Sequence, residues 1–136
     1  EPMDASFDYI YPRIHPSHMP IKQLLLDQSI FTGIGNIYAN EICFRMGMDP
    51  RTRGDRLSKK RILELIEVSS TILTEANVQG GTTIHSFDAH GIHGLFQVTL
   101  SVHAQTTCSK CKGPIKKITI AGRGTYYCPH CQKRRY

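Results

Sequence analysis

Cys108-Ser-Lys-Cys111 and Cys128-Pro-His-Cys131 form a C-x2-C-x16-C-x2-C array, and thiolates at that spacing bind zinc. Each C-x2-C turn aims two sulfurs at one point, so two turns complete a tetrahedral shell and leave no position for a substrate. The expected cofactor is therefore one structural Zn2+ held by Cys108, Cys111, Cys128 and Cys131. A pair of disulfides is disfavoured, because Cys43 would be left odd and the opening residues do not resemble a secretory signal. A second chemistry lies in Thr32-Gly-Ile-Gly-Asn36. Glycines such as Gly35 ahead of a helix allow close backbone approach, and the free N–H groups of a helix start suit a phosphate. Asn36 either caps that helix or turns its amide to a phosphate oxygen. Lys22 and Tyr38 are near in sequence and add a point charge and a hydroxyl to the same site; otherwise they are a solvated lysine and a packed tyrosine. Arg123, flanked by Gly122 and Gly124, is expected at the tip of the zinc hairpin. There its planar fork either grips phosphate oxygens or stands in solvent.

Charge points the same way. The chain has a formal charge of +6, and no acid follows Asp88. Lys110, Lys112, Lys116, Lys117, Arg123, Lys133, Arg134 and Arg135 lie beyond it. Arg45, Arg51, Arg53, Arg56, Lys59, Lys60 and Arg61 form a second cluster against only Asp49 and Asp55. Two basic patches imply a polyanionic partner, most simply nucleic acid. No apolar run approaches the ~20 residues of a membrane span, so no membrane partner is expected.

The elements that must position these groups are mainly helical, with a small β zinc hairpin. Pro2, Pro12, Pro16 and Pro20 mark residues 1–19 as a linker or extended arm. Pro20 opens a short helix with Ile21, Leu24 and Leu25 on its apolar face. The glycine turn leads into a second helix over residues 37–46, with Ile37 and Phe44 at helical spacing, ended by Gly47 and Pro50. Ser58 caps a third helix, Leu57 and Ile62 staple its start, and Ile62, Leu65, Ile66, Ile72, Leu73 and Ala76 trace its face. Gly80-Gly81 is the expected stop. Phe96, Val98, Leu100 and Val102 alternate as in a half-buried strand. Ile118 and Ile120, then Tyr126 and Tyr127, supply the hairpin strands around Ala121-Gly-Arg-Gly124.

Leu26-Asp-Gln28, Gly33-Ile-Gly-Asn-Ile-Tyr-Ala-Asn-Glu41, Phe44-Arg-Met-Gly47, Pro50, Gly80-Gly-Thr-Thr83, Phe87, Gly91, Gly94, Phe96-Gln97, the four cysteines and Gly122-Arg-Gly-Thr-Tyr-Tyr-Cys128 together resemble the carboxyl-terminal half of formamidopyrimidine-DNA glycosylase, in the family shared with endonuclease VIII. The resemblance implies a helix-two-turn-helix DNA-binding domain over residues 20–104 followed by a zinc finger over 105–136. It implies that Asn36 and Arg123 contact phosphates flanking a flipped, oxidised purine, with Gly35, Lys22 and Tyr38 on the same backbone, and that Arg123 takes part in the final elimination. Residues 87–96, including Asp88, Ala89, His90, Gly91, Ile92, His93, Gly94, Leu95 and Phe96, resemble the lid that closes over an everted base.

The family's nucleophile is an amino-terminal proline on a separate domain. Glu1-Pro2 resembles instead the hinge between the domains, and the Pro2 amine is acylated. Ile92-His93 differs from the family's Lys-Pro, and residues 102–108 form a shorter, less basic connection. The expectation is thus the DNA-binding half of a bifunctional glycosylase and apurinic-site lyase, bacterial, cytoplasmic and nucleoid-associated. It should be monomeric, with duplex DNA bearing oxidised or abasic sites and the missing catalytic domain as partners, and bind without turnover when alone. The alternatives are a standalone zinc-ribbon nucleic-acid module and the endonuclease VIII branch acting on oxidised pyrimidines.

Overall fold

The computed structural model describes residues 7–85 and 100–133, with backbone alone from residue 76 to residue 85. Helices α1 (Phe7–Ile14), α2 (Ile21–Leu26), α3 (Asn36–Arg45) and α4 (Lys59–His85) precede the strands β1 (Lys116–Ile120) and β2 (Arg123–Tyr127), with a 3-10 turn at Gly54–Arg56. Ile10 and Ile14 of α1, Ile21, Leu24 and Leu25 of α2, Ile42 of α3, and Ile62, Leu65 and Ile72 of α4 share one core. Burial of each such side chain stabilises by about 1.5–3 kcal/mol.

The expected arm over residues 1–19 is corrected by α1. Ile10 and Ile14, one turn apart, are fully buried, and Phe7, Tyr11 and His15 stack along the helix with ring centroids 5.3 and 4.9 Å apart. That packing outweighs Pro12, whose missing N–H removes a single intrahelical bond. Gly54 permits the close approach of α1, because a Cβ there would lie 2.6 Å from the Ile14 carbonyl oxygen.

Between α2 and α3 the chain makes two tight turns, and Gln28 ties them together. Its Oε1 accepts from Gly33 N (2.9 Å), and its Nε2 donates to the Ile34 carbonyl (3.0 Å). Asp27 takes Ser29 N on its carboxylate and Phe31 N on its carbonyl. Gly47, at φ +63°, closes α3: Gly47 N donates to the Phe44 carbonyl and Met48 N to the Cys43 carbonyl, both at 3.0 Å. This is a Schellman motif, which left-handed glycine makes accessible. The Ser58 hydroxyl accepts from Arg61 N (3.1 Å), and Leu57 and Ile62 are both buried, as cap and staple require.

Three expectations are altered. Helix α4 passes through Gly80-Gly81 to His85, since a helical glycine costs about 1 kcal/mol but keeps its N–H donor. Of the strand expected over residues 96–102, Phe96 and Val98 lie outside the described residues, while Leu100 and Val102 are not in a strand. The backbone donors of that segment go elsewhere: Ser101 N, Val102 N and His103 N all donate to the Glu41 carboxylate, at 2.8–2.9 Å. Ile37 is 42% exposed rather than on the buried face of α3.

Antiparallel β1 and β2 pair from Lys116↔Tyr127 to Ile120↔Arg123, leaving Ala121-Gly122 as a two-residue turn with φ of 52° and 76°. Positive φ at both positions is the twist that a tight hairpin needs. Arg123 therefore opens β2 and is not the hairpin tip. The finger is joined to the helices along its own core: Phe44 of α3 and Val102 pack with Cys108 and Cys128. It is also joined by backbone, since Asp49 N donates to the Lys133 carbonyl and Lys133 N to the Gly47 carbonyl, both at 3.0 Å. Buried Gln132 adds a bond from Nε2 to the Met48 carbonyl (3.0 Å).

Candidate nucleic-acid interface and metal centre

The four cysteine sulfurs lie within 4.8 Å of one another. Cys108 Sγ is 3.7 Å from Cys131 Sγ, and Cys111 Sγ is 3.5 Å from Cys128 Sγ. Tetrahedral zinc with Zn–S bonds of about 2.3 Å requires S···S separations of about 3.8 Å, so the quartet fits one structural zinc. Backbone N–H groups already face the sulfurs. Lys110 N and Cys111 N point to Cys108 Sγ, Gly113 N to Cys111 Sγ and Cys131 N to Cys128 Sγ, so the backbone donates to three of the four sulfurs. All four ligand positions are cysteine, so the metal supplies cohesion rather than catalysis.

The start of α3 and the start of β2 meet at the Gly124 carbonyl. Asn36 Nδ2 donates to it at 3.1 Å, Lys22 Nζ at 3.0 Å and Asn40 Nδ2 at 3.4 Å. Asn36 does not cap α3; the N-cap is Gly35, in extended conformation and without a side-chain cap bond. The first N–H groups of α3 therefore lack intrahelical acceptors and, among the described residues, a side-chain cap. They sit with exposed Gly35 and half-buried Tyr38 beside the Asn36 amide. Burial, and then the Glu41 carboxylate, raise the Tyr38 phenol above its ordinary pKa, so this hydroxyl remains a donor. Arg123, one residue before the shared carbonyl, is exposed. The Lys117 stem crosses Gly124, where a Cβ would stand 3.3 Å from the Lys117 Cε.

Lys22 is neither the solvated lysine nor the exposed point charge. It is 0% exposed, and its ammonium donates to the Thr125 hydroxyl (2.7 Å) as well as to Gly124. Burial depresses its pKa to about 8, with the Cys43 thiol opposing and Arg123 adding to the depression. Lys22 thus supports the site from beneath. Cys43 is an inert core thiol, pushed up to about 12 by burial.

The two basic clusters part company in three dimensions. Arg51 pairs with Asp49 (2.7 Å) and lies over the Tyr127 ring, Arg53 pairs with Asp55 (2.7 Å), Arg45 with Glu75 (2.8 Å) and Arg61 with Glu64 (2.8 Å). Four of the seven cations in the cluster at 45–61 thus have a carboxylate partner, two of them through Glu64 and Glu75 beyond the acids within the cluster. Lys110, Lys112, Lys116, Lys117, Arg123 and Lys133 are exposed. None of them forms an ion pair among the described residues.

Asn40, Glu41 and His103 complete the site and were not singled out by sequence. Asn40 and Asn36 stand one turn apart on α3, a spacing that places two amides on one face. Among the expected lid residues, Asp88 to Phe96 all lie outside the described residues.

Together these elements define a helix-two-turn-helix module carrying a four-cysteine zinc finger. Residues 1–88 match the formamidopyrimidine-DNA glycosylase H2TH domain, and residues 107–134 match the zinc finger found in FPG and IleRS. The chain belongs to the formamidopyrimidine-DNA glycosylase family. Among its relatives, the formamidopyrimidine-DNA glycosylase of Neisseria meningitidis is 39% identical over 98% of this chain and 50% of its own length. That of Mycoplasmopsis pulmonis is 40% identical over 98% of this chain and 49% of its own. The complex of Lactococcus lactis Fpg with an abasic-site DNA superposes with a TM-score of 0.81 at 34% identity, over 94% of this chain and 48% of that one. MutM bound to carbocyclic 8-oxo-G DNA gives 0.79 at 32% identity, over 94% and 46%. The chain spans about half the length of the curated relatives it matches, corresponding to their carboxyl-terminal half.

Proposed function

We propose that this chain is the DNA-gripping half of a bifunctional glycosylase and apurinic-site lyase that excises oxidised purines during base-excision repair, and that its partner is duplex DNA containing such a lesion or an abasic site. The observation that carries this reading is the bond from Asn36 Nδ2 to the Gly124 carbonyl, 3.1 Å, which puts the α3 start and Arg123 on one face. Arg123, Lys117, the α3 amides, Asn36 and Tyr38 then present donors to one stretch of phosphates. Such contacts set register without reading sequence. Relatives bound to abasic and 8-oxo-G DNA support the substrate class.

The role of Arg123 extends to the elimination step, where its guanidinium steadies the departing phosphate. Base removal requires an activated amine, which belongs to the amino-terminal half of the family's enzymes. Among the described residues, the Lys22 amine is enclosed and doubly bonded, and the Cys43 thiol is buried. The chain alone, a monomer of the bacterial cytoplasm working on the nucleoid, therefore binds lesion DNA without turnover.

Fluorescence anisotropy with an abasic-analogue duplex tests this. Arg123→Ala should lower affinity about tenfold or more, as loss of a charge-assisted phosphate contact does. It should also reduce the log–log salt slope by about 0.9 for each phosphate released. Equal affinities and slopes for parent and variant would remove Arg123 from the interface. Strand nicking by the chain alone on 8-oxoguanine or thymine-glycol duplexes would refute the absence of turnover.

A further inference from the structure

Beneath the DNA-facing donors lies a buried relay that ends at the same carbonyl. His103 Nδ1 is 2.8 Å from Asn40 Nδ2, whose other reach is to the Gly124 oxygen at 3.4 Å. Asn40 is wholly buried, and its Oδ1 has no hydrogen-bond partner among the described residues. An amide nitrogen only donates, so His103 Nδ1 must be the acceptor and the neutral ring must carry its proton on Nε2. The ring is fixed in this pose by an edge contact with Tyr126 (centroids 5.0 Å apart) and by the grip of Glu41 on His103 N (2.8 Å).

We propose that His103 is a positioning residue: through Asn40 it sets the Gly124 carbonyl beside Arg123, and a proton on its Nδ1 loosens the grip of the hairpin on DNA. This rests on the DNA-binding reading above. Protonated Nδ1 would face the Asn40 amide hydrogens, donor against donor. A half-turn of the Asn40 side chain relieves this, because the orphan Oδ1 then accepts from His103. The same half-turn takes Nδ2 away from Gly124 and sets an oxygen against its carbonyl. The turn must shift, and Arg123 is the neighbouring residue.

The charges facing the ring come from each element around it: Glu41 from α3, Lys22 from α2 and Lys117 from β1, with the Tyr126 phenol from β2. Burial lowers the pKa of His103 below its ordinary 6.5, Glu41 opposes, and Lys22 and Lys117 add to the lowering. The neutral relay is therefore intact at neutral pH, and it is lost as pH falls below the ordinary histidine value toward the depressed one.

The test compares the zinc-loaded chain with His103→Phe, which keeps a ring against Tyr126 but has neither acceptor nor titration. Affinity for an abasic-analogue duplex is measured at fixed salt from about pH 8 to about pH 5. Relative to the variant, the parent should lose about threefold to tenfold as pH falls, the range of one hydrogen bond. Other histidines titrate in both proteins and cancel in the ratio. Parallel profiles from two folded proteins overturn the proposal. Nitrogen NMR of the free parent gives a reading that needs no DNA: the His103 ring should show the Nε2–H tautomer, and the Asn40 side-chain amide and Gly124 amide should titrate with it. An Asn40 amide indifferent to His103 refutes the relay whatever the DNA result. An intact relay in a chain that binds no duplex refutes the DNA-binding reading instead, and with it the role given to the proton.

Discussion

Lys22→Met separates two roles of a buried ammonium. The Lys22 nitrogen is enclosed and bonds to Gly124 at 3.0 Å and Thr125 at 2.7 Å, yet its pKa is depressed from 10.5 to about 8, chiefly by burial. A depression of that size corresponds to about 3 kcal/mol against the charged form in the folded state. Because the folded value lies below the unfolded one, the unfolded chain holds an extra proton between the two. Stability therefore rises with pH across that window and, for this group, is lowest below about pH 8. Methionine keeps the length and packing of the stem without the charge. No acceptor is orphaned, since Gly124 retains Asn36 and Asn40, and the Thr125 hydroxyl donates to the Arg123 carbonyl (3.1 Å). Urea denaturation at neutral pH should find the variant at least as stable as the parent, by up to about 3 kcal/mol. The rise in parent stability between about pH 8 and pH 10.5 should be missing from the variant. A loss of more than about 1 kcal/mol at neutral pH would refute the reasoning, because the two hydrogen bonds would then outweigh desolvation.

Glu41→Gln replaces a carboxylate that accepts three backbone N–H groups, and should cost about 2–4 kcal/mol; a urea midpoint close to the parent's would show that the 101–103 segment holds itself. Ala121→Gly relieves an alanine at φ 52° and should stabilise the hairpin by about 1 kcal/mol, read as a raised thermal midpoint with zinc bound. Chelating the metal should unfold the hairpin and expose Phe44 and Val102, while most helical circular dichroism persists because α1, α2 and α4 pack in the other cluster. Zinc release measured alongside the dichroism checks this, and simultaneous collapse of both would show a single cooperative unit.

The parts legible in sequence were those with local chemical grammar. The cysteine spacing fixed the metal site, Ser58 with Leu57 and Ile62 fixed the start of α4, and the glycine turn fixed the start of α3. Helix α1 was hidden because Pro12 and the prolines flanking it are read locally, whereas Ile10 and Ile14 are stabilised by a helix some fifty residues onward. The strand misread at Leu100 and Val102 shows the reverse case: alternation was present, but Glu41 consumed the backbone donors a strand would need. Composition also could not show that Arg45, Arg51, Arg53 and Arg61 each have a carboxylate partner, because pairing depends on geometry. Asn40 and Glu41 looked like ordinary helix residues until their burial was known.

Three side-chain donors from two helices converging on one carbonyl make the helical module and the finger the jaws of a caliper whose gap is set by hydrogen-bond lengths. On the DNA-gripping reading proposed above, such a tool would gauge the spacing of a strand's phosphates before any base is touched. A-form duplexes, with their altered groove and backbone pitch, should sit poorly between the jaws, so the chain should prefer DNA over double-stranded RNA without reading a 2′-hydroxyl.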